Sequence, residues 1–367
     1  MLKKIIVFAA MIVLLSCAVV CSAFDVSARS AILICADTGE VIYEKNADER
    51  LPMASTTKIM TALVAIENGS LDKIAEVDDS AVGIEGSSMY LYHGERITLR
   101  RLLYGLMLSS GNDAAKAVAI HIAGSEDKFA YMMNERAEVM GLNDTAFKNP
   151  SGLDADGHYT TARELALMSR EAMKNDVFRE IVGSLSHEAG NLSAGEVRWV
   201  HNHNKMLSRY DGADGIKTGF TKKAGRCLVS SASRDGVSLI CVTLNCPDDW
   251  NEHERMLDMG FESLKNHIVL NANESWQLPV GGSTKNNVTV KLNGNIEISA
   301  LDASKLSYRV YLPHALMAPR KSGECAGEIA VFYDGEYVCS HDIYLSEDIP
   351  ARERKGSFFE RLMEYIN

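Results

Sequence analysis

A serine and a lysine lie three positions apart in the segment LPMASTTKIM at residues 51–60, and such a pair can perform acyl transfer. Serine is a weak nucleophile until a nearby base removes its proton. Positions i and i+3 share one face of a helix, so the amine of Lys58 can reach the hydroxyl of Ser55 and serve as that base. In the alternative interpretation Ser55 is a helix cap and Lys58 a surface lysine. The pair alone does not decide between the two.

Two later segments also place polar side chains where they can meet a ligand. Ser110 and Asn112 lie in a polar break between two apolar, helix-like runs. Lys217 and Thr218 lie in a β-rich run, and Gly219 after them lets a ligand or another backbone come close because it has no side chain. Each segment also has a purely structural interpretation, as a helix connection capped by Asn112 or Asp113 and as an edge strand that ends in a turn.

Apolar periodicity indicates which helices must position these residues. A stripe of apolar residues predicts a helix over residues 55–68, with Gly69 as its stop, so Ser55 lies at the helix start. The run ITLRRLLYGLMLSS predicts a buried helix that ends near Ser109, and NDAAKAVAIHIAG begins the next one. Further helices are predicted in the runs SEDKFAYMMNERAEVMG, TTARELALMSREAMKN and ERMLDMGFESLKN.

Strand-like segments occur on both sides of this helical region. The run SAILICADTGEVIYEKN predicts an early hairpin with its turn at Asp37–Gly39. Three later runs, GIKTGFT, RCLVSSAS and VSLICVTLN, predict strands, and the pair Asp235-Gly236 marks a tight turn between the last two. Because the helices fall between an early hairpin and a late strand group, the sequence predicts an α+β fold in which an antiparallel sheet receives its helices from a central insert.

Composition divides the chain into four segments. Two lysines, an apolar run and the small residues CSA predict a secretory signal over residues 1–23, with a second candidate cut after Ala28 and an uncleaved membrane anchor as the alternative. A mixed domain over 24–265 precedes a strand-rich domain over 266–350. In the tail over 351–367 a basic lead precedes an aromatic-rich helical face, which predicts association with a membrane surface; packing on its own domain is the alternative.

Charge and cysteine content exclude several classes of protein. The net charge of −11 argues against nucleic acid as a partner. Six cysteines follow the signal, too few for a disulfide-framed small fold, although one or two disulfide bonds stay open. No CxxC pair occurs, and His201 and His203 lack further ligands at a fitting spacing, so they are interpreted as polar loop residues. No metal and no cofactor is predicted.

In combination, the three polar segments are far more specific than any of them alone. The order S-x-x-K, S-x-N, K-T-G, at a helix start, an interhelical loop and a strand, is the motif set of penicillin-interacting serine enzymes. The chain resembles the low-molecular-mass penicillin-binding proteins, which are D-alanyl-D-alanine carboxypeptidases. Stretches such as GERITLRRLLYGLMLSSGNDAA and DGIKTGFTKKAGRCLVSSA carry the resemblance beyond the motifs, over essentially the whole chain after the signal.

The resemblance implies both a fold and a reaction. It implies an antiparallel sheet with helices on both sides, as in β-lactamases and transpeptidases, a small C-terminal all-β domain and an amphipathic tail helix. The implied activity is that of an exported serine enzyme that removes the terminal D-alanine of the peptidoglycan pentapeptide stem, with β-lactam antibiotics as covalent inhibitors. A DD-transpeptidase or endopeptidase with the same site is an alternative, and so is a non-catalytic, penicillin-binding wall scaffold.

The family also implies a role for each matching residue. Ser55 would attack the peptide carbonyl, and Lys58 would accept its proton, which requires burial and a nearby positive charge, such as Lys217, to lower the lysine pKa. Ser110 would pass the proton to the departing nitrogen, and Asn112 would hold the substrate amide.

The remaining implied roles concern the terminal carboxylate of the substrate and the carbonyl of the scissile peptide bond. Lys217 and Thr218 would bind the terminal carboxylate. The backbone N–H groups of Ser55 and Phe220 would form the oxyanion hole.

One departure from the family pattern concerns this carboxylate. Some members carry an arginine for it in the loop after the last core strand. Here that loop is NCPDDWNEHER, with Asp248 and Asp249 near the expected place and Arg255 in the predicted helix that follows. The arginine contact therefore has no assignment from the sequence.

Overall fold

The computed structural model describes residues 24–190 and 197–352, and an α+β domain fills its N-terminal part. The strands of this domain, in chain order, are β1 Ser30–Cys35, β2 Val41–Lys45, β3 Ile74–Glu76, β4 Arg96–Thr98, β5 Ser186–Glu188, β6 Trp199–His201, β7 Ala213–Thr221, β8 Gly225–Arg234 and β9 Val237–Leu244. Its helices are α1 Lys58–Asn68, α2 Leu99–Met107, α3 Asn112–Ala123, α4 Glu126–Val139, α5 Ala162–Ala172, α6 Asp176–Gly183, α7 Met206–Arg209 and α8 Asp249–Ser263.

A five-stranded antiparallel sheet forms the centre of this domain. Its strand order is β2-β1-β9-β8-β7, so the early hairpin pairs with the late strands and β7 lies at an edge. The turn at Asp235–Gly236 joins β8 to β9, as the sequence predicts. The predicted antiparallel sheet with a helical insert is confirmed.

Helices cover both faces of the sheet because alternate residues of each strand point to opposite sides. On β1, Ile32 belongs to the larger core, which includes side chains from α1 and α5. The next residue, Leu33, belongs to a separate core with Met256 and Leu257 of α8. The implied arrangement of helices on both sides of the sheet is confirmed.

The segment predicted as one helix over 55–68 has two parts. Residues Ala54–Thr57 form a 3₁₀ turn, and α1 begins only at Lys58. The hydroxyls of Thr56 and Thr57 donate back to the carbonyls of Met53 and Ala54, at 2.6 and 2.8 Å, and so satisfy backbone acceptors in the turn. The tighter turn therefore reflects local side-chain hydrogen bonds that compete with a regular α-helical start.

The C-terminal part is a separate sheet domain. Its strands are β10 Lys265–Leu270, β11 Ser275–Gly281, β12 Asn287–Lys291, β13 Ile296–Ala300, β14 Leu306–Tyr311, β15 Leu316–Met317, β16 Cys325–Tyr333 and β17 Glu336–Leu345. Strands β10 and β13 pair with each other, and the others form a six-stranded sheet in the order β14-β16-β17-β12-β11-β15. Buried valine, leucine and isoleucine side chains give this domain its own core.

The two domains meet at the turn that joins β1 to β2. Asp37 accepts a hydrogen bond from the Ser299 backbone N–H at 3.2 Å, and Glu40 accepts one from the Leu301 N–H at 2.9 Å. The Ser299 hydroxyl also donates to the carbonyl of Gly236, at 3.0 Å. Burial raises the pKa of the Asp37 carboxyl. The C-terminal domain therefore contacts the end of the central sheet at which β1 ends and β9 begins.

Two predicted segments lie outside the described residues: the signal over residues 1–23, and all but the first two residues of the tail over 351–367. Within the described residues, no helix is both long and apolar enough to cross a membrane. The six cysteines of the described chain are free thiols.

A buried histidine fixes α8 to the sheet. His253 is fully buried, and its ring nitrogens lie 2.5 Å from the Ser230 hydroxyl and 2.9 Å from the Thr243 hydroxyl. Burial lowers the pKa of His253 to about 3. The folded protein therefore keeps this ring neutral at pH values where an unfolded chain protonates it.

We expect His253 to make stability depend on pH. Below a pH of about 6.5 the unfolded state gains a proton that the folded state excludes down to a pH of about 3, so each pH unit in that window costs about 1.4 kcal/mol. The thermal midpoint of wild type should fall more steeply from pH 7 to pH 4 than that of His253→Gln. The exposed His314→Gln variant is the control and should follow wild type. Equal slopes for wild type and His253→Gln would contradict this account.

Candidate active site

The turn that carries Ser55 packs directly against the edge strand β7. A Cβ atom at Gly219 would lie 3.1 Å from the backbone nitrogens of Ser55 and Thr56 and from the carbonyl oxygen of Met53. These distances are shorter than most Cβ contacts in proteins, so an alanine here would require the strand or the turn to shift slightly. Gly219 therefore brings the predicted K-T-G strand next to the predicted nucleophile.

A second segment, the loop around Gly152, also packs against this turn. Ala54 has a φ of 48°, which is unusual for a residue other than glycine, and Gly152 has a φ of 87°. A Cβ atom at Gly152 would lie 1.9 Å from the Ala54 carbonyl oxygen, so the two backbones are in direct contact. The loop around residue 152 thus packs directly against the residue before Ser55, which has a left-handed conformation.

A buried histidine connects the same loop to the turn. The Lys148 backbone N–H donates to Nδ1 of His158 at 3.0 Å, which leaves Nε2 as the N–H of a neutral ring. That nitrogen lies 2.8 Å from the Thr57 hydroxyl, which in turn donates to the Ala54 carbonyl. Burial lowers the pKa of His158 to about 4, in agreement with a neutral ring. His158 thus links the loop to the turn that carries Ser55.

Lys58 lies at the centre of the site, with three hydrogen-bond partners. Its Nζ is 3.0 Å from the Ser55 hydroxyl, 2.8 Å from Oδ1 of Asn112 and 2.5 Å from the Ser151 carbonyl oxygen. Two of these partners can only accept, whereas the serine hydroxyl can also donate. A neutral amine has two hydrogens and one lone pair, so it satisfies all three partners when Ser55 donates its proton toward the nitrogen.

The electrostatic surroundings favour this neutral amine. Lys58 is fully buried, and none of its three partners in the described chain carries a charge. Burial is the main cause that lowers its pKa well below the ordinary lysine value, and the charge of Lys217 lowers it further, whereas Asp113 opposes the shift. The structure thus meets the condition that the sequence analysis set for a lysine base.

Ser110 and Asn112 lie at the junction of α2 and α3, as predicted, but Asn112 is already the first residue of a helix. Ser110 has a φ of 58° and lines the cavity beside Ser55. Oδ1 of Asn112 accepts a hydrogen bond from Lys58, and its Nδ2 donates to the Glu85 carbonyl at 2.7 Å. These two bonds fix the orientation of the amide and leave one N–H for a ligand.

Asp113 holds the loop that covers this junction. Its carboxylate accepts the backbone N–H groups of Met89 and Leu91, both at 3.0 Å, and the hydroxyl of Ser88 at 2.6 Å. Sequence reasoning treated Asp113 only as a candidate cap. The sequence signal for its role was its position directly after the S-x-N residues, and its burial is seen only in the structure.

Lys217 is buried on β7 without an ionic partner in the described residues. Its Nζ donates to the Thr218 carbonyl at 3.0 Å, and burial lowers its pKa to about 7. An anionic ligand that reaches this amine would stabilise its charged form.

A polar cavity of about 280 Å³ is lined by residues from all three motifs, and the buried Lys58, Asn112 and Lys217 are not among its lining residues. Ser55, Ser110, Thr218, Gly219 and Phe220 all line it. The other lining residues are Ser87, His203, Arg226, Cys227, Asp249 and Trp250. The three sequence motifs therefore meet in one cavity.

The structure separates the remaining candidates. His203 lines the cavity, and burial together with the charge of Lys217 lowers its pKa, whereas His201 lies on the short strand β6. Arg255 pairs with Glu252 on α8 at 2.6 Å and its guanidinium lies over the Phe24 ring, so it is not in the cavity. The described residues contain no group of three or more side chains that could hold a metal ion.

This arrangement can transfer an acyl group. A serine hydroxyl that donates to a neutral amine is activated for attack on a carbonyl, and a second hydroxyl beside it can relay a proton. Such a fold, with its serine–lysine pair in a polar cavity, is that of a serine hydrolase. A family model described as D-alanyl-D-alanine carboxypeptidase, peptidase S11, matches residues 18–248. The chain therefore belongs to the D-alanyl-D-alanine carboxypeptidase family.

Named relatives match over most of the chain. D-alanyl-D-alanine carboxypeptidase DacF of Bacillus subtilis is 33% identical over 88% of this chain and 86% of its own length. D-alanyl-D-alanine carboxypeptidase DacC of Escherichia coli is 32% identical over 93% of this chain and 88% of its own length. The similarity therefore extends through the C-terminal sheet domain.

Solved structures show the same fold. D-alanyl-D-alanine carboxypeptidase DacD from Francisella tularensis has a TM-score of 0.63 at 27% identity, covering 90% of this chain and 95% of that one. A mutant of Streptomyces K15 DD-transpeptidase has a TM-score of 0.62 at 34% identity, covering 65% of this chain and 99% of that one.

Replacement of Gly219 should impair the site without unfolding the protein. In Gly219→Ala the new methyl group would crowd the backbone N–H of Ser55, so we expect covalent labelling by fluorescent penicillin to slow by about 100- to 1,000-fold, as for loss of one oxyanion donor. The matched control is Gly294→Ala, because a Cβ atom at Gly294 meets open space. Labelling of Gly219→Ala at the wild-type rate would contradict the proposed geometry.

Proposed function

We propose that this chain removes the terminal D-alanine of peptidoglycan stem peptides through an acyl-enzyme on Ser55. The observation that carries the proposal is the 3.0 Å contact between the Ser55 hydroxyl and the buried amine of Lys58. Family membership supports it, as do the relatives DacF and DacC, which are named D-alanyl-D-alanine carboxypeptidases.

The first half of the proposed reaction forms the acyl-enzyme. Lys58 accepts the proton as the Ser55 oxygen attacks the carbonyl of the D-Ala-D-Ala peptide bond. The proton then passes through the Ser110 hydroxyl to the departing amine, the C–N bond breaks, and free D-alanine leaves. Asn112 donates its remaining amide N–H to the substrate backbone. Each step uses a group that already lines, or is buried beside, the cavity.

In the proposed complex the protein binds both the terminal carboxylate and the carbonyl oxygen of the scissile peptide bond. The terminal carboxylate lies near Lys217 and the Thr218 hydroxyl, where it restores the charge on the lysine. The carbonyl oxygen lies between the backbone N–H groups of Ser55 and Phe220, which stabilise the negative charge that develops there. In this assignment the exposed Phe220 ring has no part in the chemistry.

The second half of the reaction decides between related activities. Water attacks the acyl-enzyme in a carboxypeptidase, with Lys58 accepting its proton, whereas an amine attacks in a transpeptidase. The structural similarity to Streptomyces K15 DD-transpeptidase keeps that activity as the second candidate, together with an endopeptidase. β-Lactams would react with Ser55 in the same way as the substrate and remain bound.

The proposed function also gives a setting to the ends of the chain. We propose a signal over residues 1–23, a catalytic domain over 24–265, a β domain over 266–350 and a membrane-associating tail over 351–367, in an exported protein that works in the cell-wall space. The change from α8 to β10 supports the boundary near residue 265.

The reaction is tested by D-alanine release. We expect wild type to release D-alanine from diacetyl-L-Lys-D-Ala-D-Ala, and Ser55→Ala to lose release and penicillin labelling by more than about 1,000-fold because the nucleophile is absent. The exposed Ser263→Ala variant on α8 is the matched control and should behave as wild type.

The same assay separates the alternatives. Penicillin labelling without D-alanine release would favour the wall scaffold. Transfer of the acyl group to added glycylglycine in preference to water would favour the transpeptidase. A Ser55→Ala variant that labels as well as wild type would end the assignment of Ser55.

Membrane association has its own test. The last described residues, Ala351 and Arg352, still pair with the sheet domain at Ser283 and Gly282, so deletion should begin at residue 353. We expect the mature chain to sediment with anionic lipid vesicles and the 353–367 deletion to stay in the supernatant. A full-length mature chain that does not bind vesicles would contradict the proposed tail.

A further inference from the structure

Arg226 lines the active-site cavity, although no sequence motif includes it. It lies on β8, paired with Phe220 of β7, and its neighbour two positions along β8, Leu228, pairs with Thr218. Arg226 and Thr218 are therefore diagonal neighbours on one face of the sheet, where a long side chain spans the distance between them. Its side chain is 41% exposed, so it can meet a ligand that enters the cavity.

Two neighbours from the start of α8 hold this guanidinium. Oδ1 of Asp249 accepts from Nε at 3.0 Å and from Nη2 at 2.7 Å, and the Asp249 side chain is only 4% exposed. The Trp250 ring lies 5.6 Å from the Arg226 guanidinium carbon, a distance at which a cation and a ring attract each other. Nη1 has no hydrogen-bond partner within residues 24–190 and 197–352, so this end of the fork is available.

The substrate of the proposed function needs such a group. A D-Ala-D-Ala terminus carries a carboxylate, and planar guanidinium forks bind carboxylates with directional, charge-assisted hydrogen bonds. Lys217, the other cation beside Thr218, has a pKa of about 7 and carries only part of its charge near neutral pH before substrate binds. A guanidinium keeps its charge over the whole physiological range.

We propose that Arg226 binds the terminal carboxylate of the substrate, and that Asp249 and Trp250 position its guanidinium in the cavity. This inference rests on the proposed function. It also explains why an acidic residue, Asp249, follows β9 near the expected carboxylate site. Asp249 pairs with Arg226 of the neighbouring strand β8, and Arg226 supplies the positive charge for the substrate carboxylate. Arg226 is thus a specificity residue, and Asp249 acts through it.

The test compares two peptides that differ only in the charge at the C-terminus: diacetyl-L-Lys-D-Ala-D-Ala and its C-terminal amide. Arg226→Gln should lower kcat/KM for the acid by about 10- to 100-fold and leave the amide unchanged, because only the acid loses a charge-assisted hydrogen bond. Arg226→Lys should retain part of the preference for the acid, since it keeps the charge without the fork. Asp249→Asn should also weaken the preference, because the anchor is lost.

The matched control is Arg209→Gln. Arg209 also pairs with an acidic residue of α8, Glu254 at 2.8 Å, but it does not line the cavity, so both peptides should react as with wild type. If wild type does not turn over the amide, acylation by benzylpenicillin and by its methyl ester gives the same comparison of charged with neutral ligand.

The outcomes separate this inference from the proposed function. An unchanged rate on the acid peptide, or an equal loss on acid and amide, would overturn the role of Arg226. If wild type releases no D-alanine from the acid peptide, the proposed function is wrong. The role of Arg226 would then still be tested by the comparison of benzylpenicillin with its methyl ester.

Discussion

The site depends on one buried amine that lacks a charged partner. Burial of an ammonium group is costly unless it is paired, so the burial of Lys58 beside three neutral oxygens favours its uncharged form. A carboxylate in place of either carbonyl partner would keep the lysine charged and would deprive Ser55 of a base. In the proposed mechanism, the reactivity of Ser55 therefore depends on the surroundings of Lys58 more than on the serine itself.

Several parts of the fold serve to keep that amine and hydroxyl in register. Gly219 and Gly152 let a strand and a loop pack closely against the turn that carries Ser55. The neutral ring of His158 connects the loop to Thr57, and Asp113 holds residues 88–91 against the junction of α2 and α3 by hydrogen bonds. None of these groups needs to react, yet each one restricts the positions that the reacting atoms can take.

The sequence predicted the central sheet, the insert of helices and the meeting of three motifs, because apolar period and motif order are properties of residue types. Other parts of the site left no such signal. The Ser151 carbonyl belongs to the backbone and could be contributed by any residue type. The 3₁₀ turn before Lys58 results from hydroxyl contacts within a helix-like pattern. Arg226 and Asp249 are 23 positions apart and meet only because β8 begins where α8 begins.

The contact between the two domains and the active-site cavity lie at different ends of the central sheet. The C-terminal domain contacts the sheet where β9 begins, at Gly236, whereas the cavity lies beyond the opposite end of that strand. Eight residues of extended chain separate these ends, a span of about 27 Å. The C-terminal domain and the cavity therefore lie at opposite ends of β9, so the contacts between the two domains leave the cavity uncovered.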